Sequence, residues 1–142
     1  MSLGEILARP LVDLLDELNW EVDLVAPVPL GLIRQNQRGY NQAALIARPL
    51  ALGSGLSYRP KALWKARDSR SQVGLTARER LENVSGAFQG RPKIVRGKSI
   101  LVIDDVITSG ATIDACAAGL RKAGAKEVYG LSLARAVLSN SF

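Results

Sequence analysis

Histidine is absent from this 142-residue sequence, and cysteine occurs once, at Cys116. These absences exclude a disulfide within the chain, a zinc site built from cysteine and histidine, and a Ser-His-Asp catalytic triad. Any catalysis must use carboxylates, arginine, lysine, backbone amides and a hard cation. Because free cysteines are usually buried, we expect Cys116 to be a structural thiol on a helix that faces a sheet.

Long apolar runs and a secretory signal are also lacking. The apolar stretches fall far short of the roughly 18 residues that a membrane span needs. The N-terminus has no basic segment followed by an apolar stretch and a small-residue cleavage site. We therefore predict a cytoplasmic protein with no membrane partner. The length fits a single domain over 1–142.

Aromatic residues are few, at 5%, whereas basic residues are plentiful and unevenly placed. Between Arg34 and Lys98, fourteen Lys and Arg stand against three carboxylates, a net charge of +11, while the rest of the chain carries −5. A basic middle favours an anionic partner. Nucleic acid is one such partner, but this region offers few aromatic side chains for base stacking.

The order of the apolar segments is typical of an α/β fold. Apolar residues at helical spacing over 1–19 predict an amphipathic N-terminal helix that ends near Asn19. Apolar, β-prone runs predict buried strands at 22–28, 99–103 and 128–134. Longer helices are expected at 41–52, ended by Gly53, and at 112–123, with Gly124 as C-cap. Strands that alternate with helices predict a mainly parallel central sheet flanked by helices.

Shorter elements occupy the basic middle. Thr76 and Glu79 form a capping box, which predicts a short helix over 76–83. Brief strands are expected at 62–65 and 87–89, and a turn follows at Pro92. The polar stretch 66–74 has no periodicity, so it is the candidate for a flexible lid.

The chemistry is concentrated in the segment from Ile100 to Thr112. Its four apolar residues form a strand, so Asp104 and Asp105 stand at the carboxyl end, where open α/β sheets bind ligands. Two adjacent carboxylates at this place can accept hydrogen bonds from vicinal hydroxyls or face a hydrated divalent cation.

Small and hydroxylated residues follow the acidic pair. They are Val106, Ile107, Thr108, Ser109, Gly110, Ala111 and Thr112. Their amides can converge at the start of the next helix, where free N–H groups and the positive dipole end bind phosphate. Each feature alone is commonly a solvated turn or a helix N-cap. Together, carboxylates that can bind vicinal hydroxyls and a loop that can bind a phosphate predict a site for a ribose 5-phosphate.

The segment Ile100 to Thr112 resembles the signature of the type I phosphoribosyltransferases. That signature has four apolar residues, two acids, two more apolar residues and a glycine-containing, hydroxyl-rich loop. The flanking motifs resemble the ComF-type branch, relatives of bacterial competence proteins. They are Pro27-Val-Pro-Leu30, Arg38-Gly-Tyr-Asn-Gln42, Gln72-x-x-Leu75, Arg80-x-x-Asn83 and Ala87-Phe88. ComF-type proteins usually begin with a cysteine-rich zinc-binding module, which a sequence with one cysteine does not contain.

The resemblance implies roles at the sugar site. Asp104 and Asp105 would hold the ribose hydroxyls, and the loop 108–112 would hold the 5-phosphate, with Val106 and Ile107 in the same binding segment. Mg²⁺ would bridge pyrophosphate and ribose oxygens, near the two carboxylates through water or through the hydroxyls.

The resemblance also implies roles at the leaving group. The loop after Pro29, with Leu30, Arg34 and Arg38, would face pyrophosphate. The lid 66–74 would close and bring Arg67 or Arg70 over the leaving group. The basic middle of the chain would then surround a polyanion.

Three functions are compatible with these residues. The first is Mg²⁺-dependent transfer of the phosphoribosyl group of 5-phosphoribosyl 1-pyrophosphate to a nitrogen acceptor, which the sequence does not identify. The second is a regulatory protein that binds a phosphoribosyl ligand or nucleotide without turnover. The third is an accessory protein in DNA uptake. Type I members are often dimers, and the broad apolar face of the N-terminal helix is the surface expected for a homodimer.

Overall fold

The structure is a computed structural model, and it describes residues 2–29, 42–66, 76, 78, 86–104 and 110–132. The strands are β1 (Leu24–Pro27), β2 (Ser57–Tyr58), β3 (Leu63–Lys65), β4 (Phe88–Gly90), β5 (Ser99–Asp104) and β6 (Glu127–Ser132). The helices are α1 (Leu3–Leu18), α2 (Gln42–Ser54), α3 (Pro92–Val95) and α4 (Ala111–Lys122), with a 3₁₀ turn at Pro60–Ala62.

A central sheet of four parallel strands has the order β2-β1-β5-β6. Strand β5 lies in its interior, and its residues from Ser99 to Ile103 are all buried. A parallel strand covered on both faces needs a continuous apolar run, which is the pattern of this segment. The predicted α/β class, with a mainly parallel sheet flanked by helices, is confirmed.

Two apolar clusters cover the two faces of the sheet. On one face, Ile100 and Val102 of β5 pack with Cys116 and Leu120 of α4. On the other face, Leu101 and Ile103 pack against helices α1 and α2. Because side chains alternate along a strand, the neighbouring residues of β5 contribute to opposite clusters. The buried position of Cys116, on a helix that faces the sheet, matches its predicted structural role.

The N-terminal helix, predicted over 1–19, spans Leu3–Leu18 and ends at Asn19 as expected. Ser2 and Glu5 form a capping box, and Asn19 ends α1 in the left-handed conformation with a φ of 57°. Leu3 and Ile6 are exposed on this helix. None of the helices in the described ranges is long and apolar enough to cross a membrane.

The predicted end of the second helix is wrong by a short distance. Helix α2 continues through Gly53 to Ser54, and the glycine with positive φ is Gly55, at +70°. A Cβ added at Gly53 would lie 3.1 Å from Cγ2 of Val12 on α1. Gly53 therefore allows the close packing of α1 and α2, and it does not end α2.

Strands β3 and β4 form a separate antiparallel ribbon, a pairing that the sequence did not predict. The ribbon packs on α4, and a Cβ added at Gly119 would collide with the carbonyl oxygen of Phe88. After it, the short helix α3 replaces the turn expected at Pro92. The predicted helix over 76–83 is described only at Thr76 and Arg78, of which Arg78 is helical. Gly124, the expected C-cap of α4, lies one residue beyond the cap at Ala123 and has a φ of +103°.

Candidate functional site

The connections that follow the neighbouring strands β1 and β5 run to opposite faces of the sheet. From β1 the chain passes through α2 on one face to β2, and from β5 it passes through α4 on the other face to β6. The neighbouring strands β1 and β5 therefore lead to opposite edges of the sheet. Open α/β sheets bind ligands in the crevice outside the carboxyl ends of two such strands.

The carboxyl ends of these two strands are level with each other. Pro27 of β1 is the Cα partner of Ile103 of β5. Beyond it, the amide of buried Val28 donates a hydrogen bond of 2.8 Å to the carbonyl oxygen of Ile103. The segment that follows β1 therefore begins beside Asp104, the last residue of β5.

Asp104 is half-buried and lies on the α4 side of the sheet. It continues the alternation of Ile100 and Val102, which both belong to the cluster beneath α4. Its Cα partner on the neighbouring strand is Ser132, at the end of β6. A carboxylate thus stands at the crevice predicted from the sequence.

Helix α4 begins at the same edge of the sheet, at Ala111, seven residues after Asp104. Gly110 is its N-cap and adopts the left-handed conformation with a φ of +80°. Asp114 completes the first turn by donating its amide to the carbonyl oxygen of Gly110 at 2.9 Å. A helix N-terminus carries a partial positive charge and amides that point away from the helix, so it suits an anionic group. Ala111 and Thr112 are half-buried in this turn.

The thiol of Cys116 lies behind this edge, in the second turn of α4. Burial raises the pKa of the Cys116 thiol, the negative charge of Asp104 raises it further, and the ammonium of Lys65 lowers it. The two charged groups of Asp104 and Lys65 therefore lie close enough to the same buried sulfur to act on it. The thiol itself is kept protonated and is not a nucleophile of the site.

Lys65 is a charged residue whose place near Cys116 the sequence does not predict. It ends β3, is half-buried, and holds its ammonium 5.6 Å from the centroid of the Phe88 ring. The available signal was its position, directly before the polar stretch 66–74 in a short β-prone run. That signal gives no orientation for the side chain, because the orientation depends on the pairing of β3 with β4.

The structure brings together four of the predicted site residues at the carboxyl edge: Asp104, Gly110, Ala111 and Thr112. The other predicted site residues lie outside the described part of the chain. They are Leu30, Arg34, Arg38, Arg67, Arg70, Asp105, Val106, Ile107, Thr108 and Ser109. The lid predicted at 66–74 is described only at Ala66, whose amide donates to the carbonyl oxygen of Ala87 at 2.6 Å.

The described residues do not form a protein cage for a metal. Among the described ranges, no group of three or more His, Cys, Asp or Glu side chains could hold a metal ion. Mg²⁺ commonly keeps several waters and is bound through one or two carboxylates together with substrate phosphates. A single half-buried carboxylate, Asp104, beside a helix N-terminus fits that manner of binding.

Comparison with known families gives one match over nearly the whole chain. Residues 2–136 match the family described as Phosphoribosyl transferase domain. The chain is 33% identical over 116 residues to Competence protein F of Haemophilus influenzae, covering 80% of this chain and 51% of that protein. It is 34% identical over 113 residues to DNA utilization protein YhgH of Salmonella typhi, covering 80% of this chain and 49% of that protein.

A third relative, Competence protein ComFC of Streptococcus pneumoniae, is 34% identical over 108 residues, which are 76% of this chain and 46% of that protein. The chain thus spans about half the length of the curated relatives it matches.

Two solved structures share the fold. One is described as the allosteric regulatory enzyme of purine biosynthesis, with a TM-score of 0.60 and 26% identity over 92% of this chain and 25% of that chain. The other is glutamine phosphoribosylpyrophosphate amidotransferase from B. subtilis, complexed with ADP and GMP. It has a TM-score of 0.59 and 26% identity, covering 89% of this chain and 25% of that chain.

Proposed function

Because this chain belongs to the phosphoribosyl transferase domain family, in the branch of the ComF-type competence proteins, we propose that it binds 5-phosphoribosyl 1-pyrophosphate with Mg²⁺. We further propose that it transfers the phosphoribosyl group to a nitrogen acceptor. The ligand-binding region is the crevice at the carboxyl ends of β1 and β5.

One observation carries this proposal. A half-buried carboxylate, Asp104, and a helix N-terminus that begins at Gly110 stand at the edge where the connections of the sheet diverge. The carboxylate suits the hydroxyls of a sugar, and the helix N-terminus suits a phosphate. A ribose 5-phosphate carries both groups on one small molecule.

The reaction is a displacement at the anomeric carbon of the ribose. The bond from this carbon to the pyrophosphate oxygen breaks, and its electron pair leaves with pyrophosphate. A bond from the acceptor nitrogen forms on the same carbon, and the nitrogen loses a proton to the released pyrophosphate or to water. Bound Mg²⁺ would supply positive charge against the leaving pyrophosphate.

The residues of the chain hold the reactants in place. Asp104 accepts hydrogen bonds from the ribose hydroxyls and so fixes the orientation of the ring. The first turn of α4, from Ala111, binds the 5-phosphate through its amides and the helix dipole. The basic region between Arg34 and Lys98 raises the local concentration of an anionic substrate.

Calorimetric titration of 5-phosphoribosyl 1-pyrophosphate in the presence of Mg²⁺ tests the proposal. We expect binding in the micromolar range for the unmutated chain and at least about tenfold weaker binding for Asp104→Asn. Asp13→Asn is the matched control, because Asp13 is an exposed carboxylate on α1, away from the carboxyl edge. No binding to the unmutated chain, or equal binding to Asp104→Asn, would contradict the proposal.

Turnover separates the enzyme from a regulatory binding protein. If the ligand binds, release of pyrophosphate is measured with a panel of nitrogen bases and amines as acceptors. Release that depends on an acceptor and is lost in Asp104→Asn supports transfer. Binding without release for any acceptor supports the regulatory alternative.

A second candidate function is a role in the use of DNA, which the names of the relatives favour. DNA utilization protein YhgH and the competence proteins are about a third identical to this chain. The net charge of +11 between Arg34 and Lys98 suits a nucleic acid as well as pyrophosphate. If DNA binds directly, the affinity falls steeply with salt and is unchanged in Asp104→Asn. A titration of a single-stranded oligonucleotide at two salt concentrations measures both effects.

A further inference from the structure

The solvent face of the β3-β4 ribbon carries an exposed tryptophan. Along β3, Leu63 is buried and Trp64 is exposed, because successive side chains of a strand point to opposite faces. The Cα partner of Trp64 on β4 is Gln89, which is exposed as well. Leu63 belongs to the buried cluster beneath the ribbon, so Trp64 and Gln89 face away from that cluster. An accessible indole ring is a surface on which a planar group can stack.

An arginine is fixed over this indole. The Cζ atom of Arg91 lies 5.6 Å from the centroid of the Trp64 ring. Nη1 of Arg91 donates a hydrogen bond of 2.6 Å to the carbonyl oxygen of Lys61, and the Arg91 amide donates one of 2.9 Å to that of Ala62. Because backbone and side chain are both held before a ligand arrives, less entropy is lost on binding. The guanidinium has five N–H donors, so it can bind a phosphate and keep its contact with Lys61.

Further positive charges surround this pair. Lys61 lies in the 3₁₀ turn before β3, and Lys93 lies in the first turn of α3, two residues after Arg91; both lysines are exposed. The two segments that build this surface, 57–66 and 86–98, contain seven Lys and Arg and no Asp or Glu. Like charges that are brought together repel one another, and an anion that binds among them relieves the repulsion. These exposed residues form the ribbon surface: Lys61, Trp64, Gln89, Arg91 and Lys93.

We infer that the ribbon surface binds a single-stranded nucleic acid, with a base stacked on Trp64 and phosphates on Arg91 and the two lysines. Proteins that bind single strands combine basic side chains along the backbone with aromatic rings on which bases stack. A duplex keeps its bases paired and stacked, so it offers Trp64 no free base. Gln89 has both donor and acceptor atoms for the edge of a base. The inference deepens the second candidate function, a role in the use of DNA, on which it rests, and it is independent of the ligand proposed at Asp104.

Tryptophan fluorescence reports on the stacking directly. The chain has two tryptophans, and Trp20 stacks on Tyr129 with ring centroids 4.6 Å apart, beside the cluster on the other face of the sheet. In Trp20→Phe, Trp64 is the only tryptophan, and an oligodeoxythymidylate of about 20 nucleotides, longer than common site sizes, should quench its emission to saturation. A duplex of the same length should not. In the matched variant Trp64→Phe, the emission of Trp20 should stay unchanged.

Fluorescence anisotropy of the labelled oligonucleotide gives the affinity. Trp64→Leu keeps an apolar side chain without the aromatic face and should bind roughly fivefold to a hundredfold more weakly. Trp64→Phe retains a ring and should recover most of the affinity. The double variant Lys61→Gln/Lys93→Gln should reduce the slope of log affinity against log salt by about 1.4, or about 0.7 for each phosphate contact. Arg9→Gln removes a charge from an exposed position of α1, on the other face of the sheet, and should change neither slope nor affinity.

The outcomes separate the ribbon surface from the phosphoribosyl site. Weaker oligonucleotide binding by Trp64→Leu, with unchanged affinity for 5-phosphoribosyl 1-pyrophosphate and unchanged thermal unfolding, supports the inference. No binding of the oligonucleotide, or equal binding by the unmutated chain and Trp64→Leu, overturns it and leaves the proposed transfer reaction standing. Equal affinity for the duplex also overturns it, because charge alone would then account for the binding. Failure of 5-phosphoribosyl 1-pyrophosphate to bind the unmutated chain contradicts the transfer reaction alone.

Discussion

The amide of Val28 donates a hydrogen bond of 2.8 Å to the carbonyl oxygen of Ile103, which joins the exits of two neighbouring parallel strands. From this point one connection crosses to α2 and the other to α4, on opposite faces of the sheet. Asp104 follows Ile103 directly, so the carboxylate stands where the two connections separate. The hydrogen bond thus fixes the crevice in which the proposed ligand lies.

The first prediction concerns the left-handed glycine at the start of α4. Gly110 has a φ of +80°, and a Cβ at this position would meet nothing within 4 Å. Gly110→Ala should therefore lose roughly 1–2 kcal/mol of unfolding free energy through backbone strain and not through a clash. Because the strain displaces the first turn of α4, ligand affinity should fall as well. Chemical denaturation and calorimetry measure the two effects.

Gly97 offers a matched control for that substitution. Its φ is +72°, a Cβ there would also meet nothing within 4 Å, and it lies before β5 at the opposite edge of the sheet. Gly97→Ala should lose a similar unfolding free energy and retain full ligand affinity. Equal affinities for both variants would show that the start of α4 does not hold the ligand.

The sequence predicts the part of the site that local patterns determine. The apolar run 99–103, with two acids after it, predicts a buried strand with Asp104 at its carboxyl end, and in the structure the strand runs one residue further, through Asp104. The capping box at Ser2 and Glu5 was not used in predicting α1, yet the leucine periodicity alone placed its end near Asn19. Such features depend on neighbours within a few residues, which a sequence shows directly.

The remaining features depend on contacts between distant segments. Each strand of the β3-β4 ribbon has three residues, too few for a pattern that identifies a partner. The orientation of Lys65 follows from that pairing, so the sequence could not place its ammonium beside Phe88. The sequence wrongly predicts a helix end at Gly53, because the packing role of this glycine depends on Val12, which lies on another helix. The homodimer through α1 and the cytoplasmic location stay predictions.

The second prediction concerns the pH dependence of stability. Burial, and then the charge of Asp104, raise the pKa of the Cys116 thiol above its ordinary value of 9.0. The folded state therefore keeps the proton that the unfolded state loses above about pH 9. This contribution to stability is complete below that pH and decreases as the pH rises, by up to about 1.4 kcal/mol per pH unit.

Cys116→Ala removes this titration and serves as the comparison. Other groups titrate alike in both proteins, so the difference in unfolding free energy between them should narrow as the pH rises above 9. Denaturant unfolding between pH 7 and about 10.5 measures this difference. A constant difference over that range would contradict burial of a protonated thiol. In the native protein at neutral pH, the thiol should also resist alkylation.

The third prediction tests how the ribbon is seated on α4. A Cβ at Gly119 would collide with the carbonyl oxygen of Phe88, a backbone atom that moves only with β4. Gly119→Ala should therefore destabilise the fold by roughly 1–3 kcal/mol. Because the collision also displaces α4, whose first turn is proposed to bind the 5-phosphate, the affinity for 5-phosphoribosyl 1-pyrophosphate should fall. Thermal unfolding and calorimetry give the two readings.

Ala118→Ser is a suitable control, since it adds one atom at the neighbouring, exposed position of the same helix. Surface substitutions of this kind usually change stability by less than about 0.5 kcal/mol. If Gly119→Ala is as stable as Ala118→Ser, the close approach of α4 and β4 does not exist.

The position of the bound ligand tests the account most directly, and a crystal structure with 5-phosphoribosyl 1-pyrophosphate and Mg²⁺ would show it. We expect the ribose hydroxyls within hydrogen-bonding distance of the Asp104 carboxylate and the 5-phosphate at the start of α4. Ligand density elsewhere, as in the cavity of about 530 Å³ between β4 and α4 lined by Phe88 and Gly119, would contradict it.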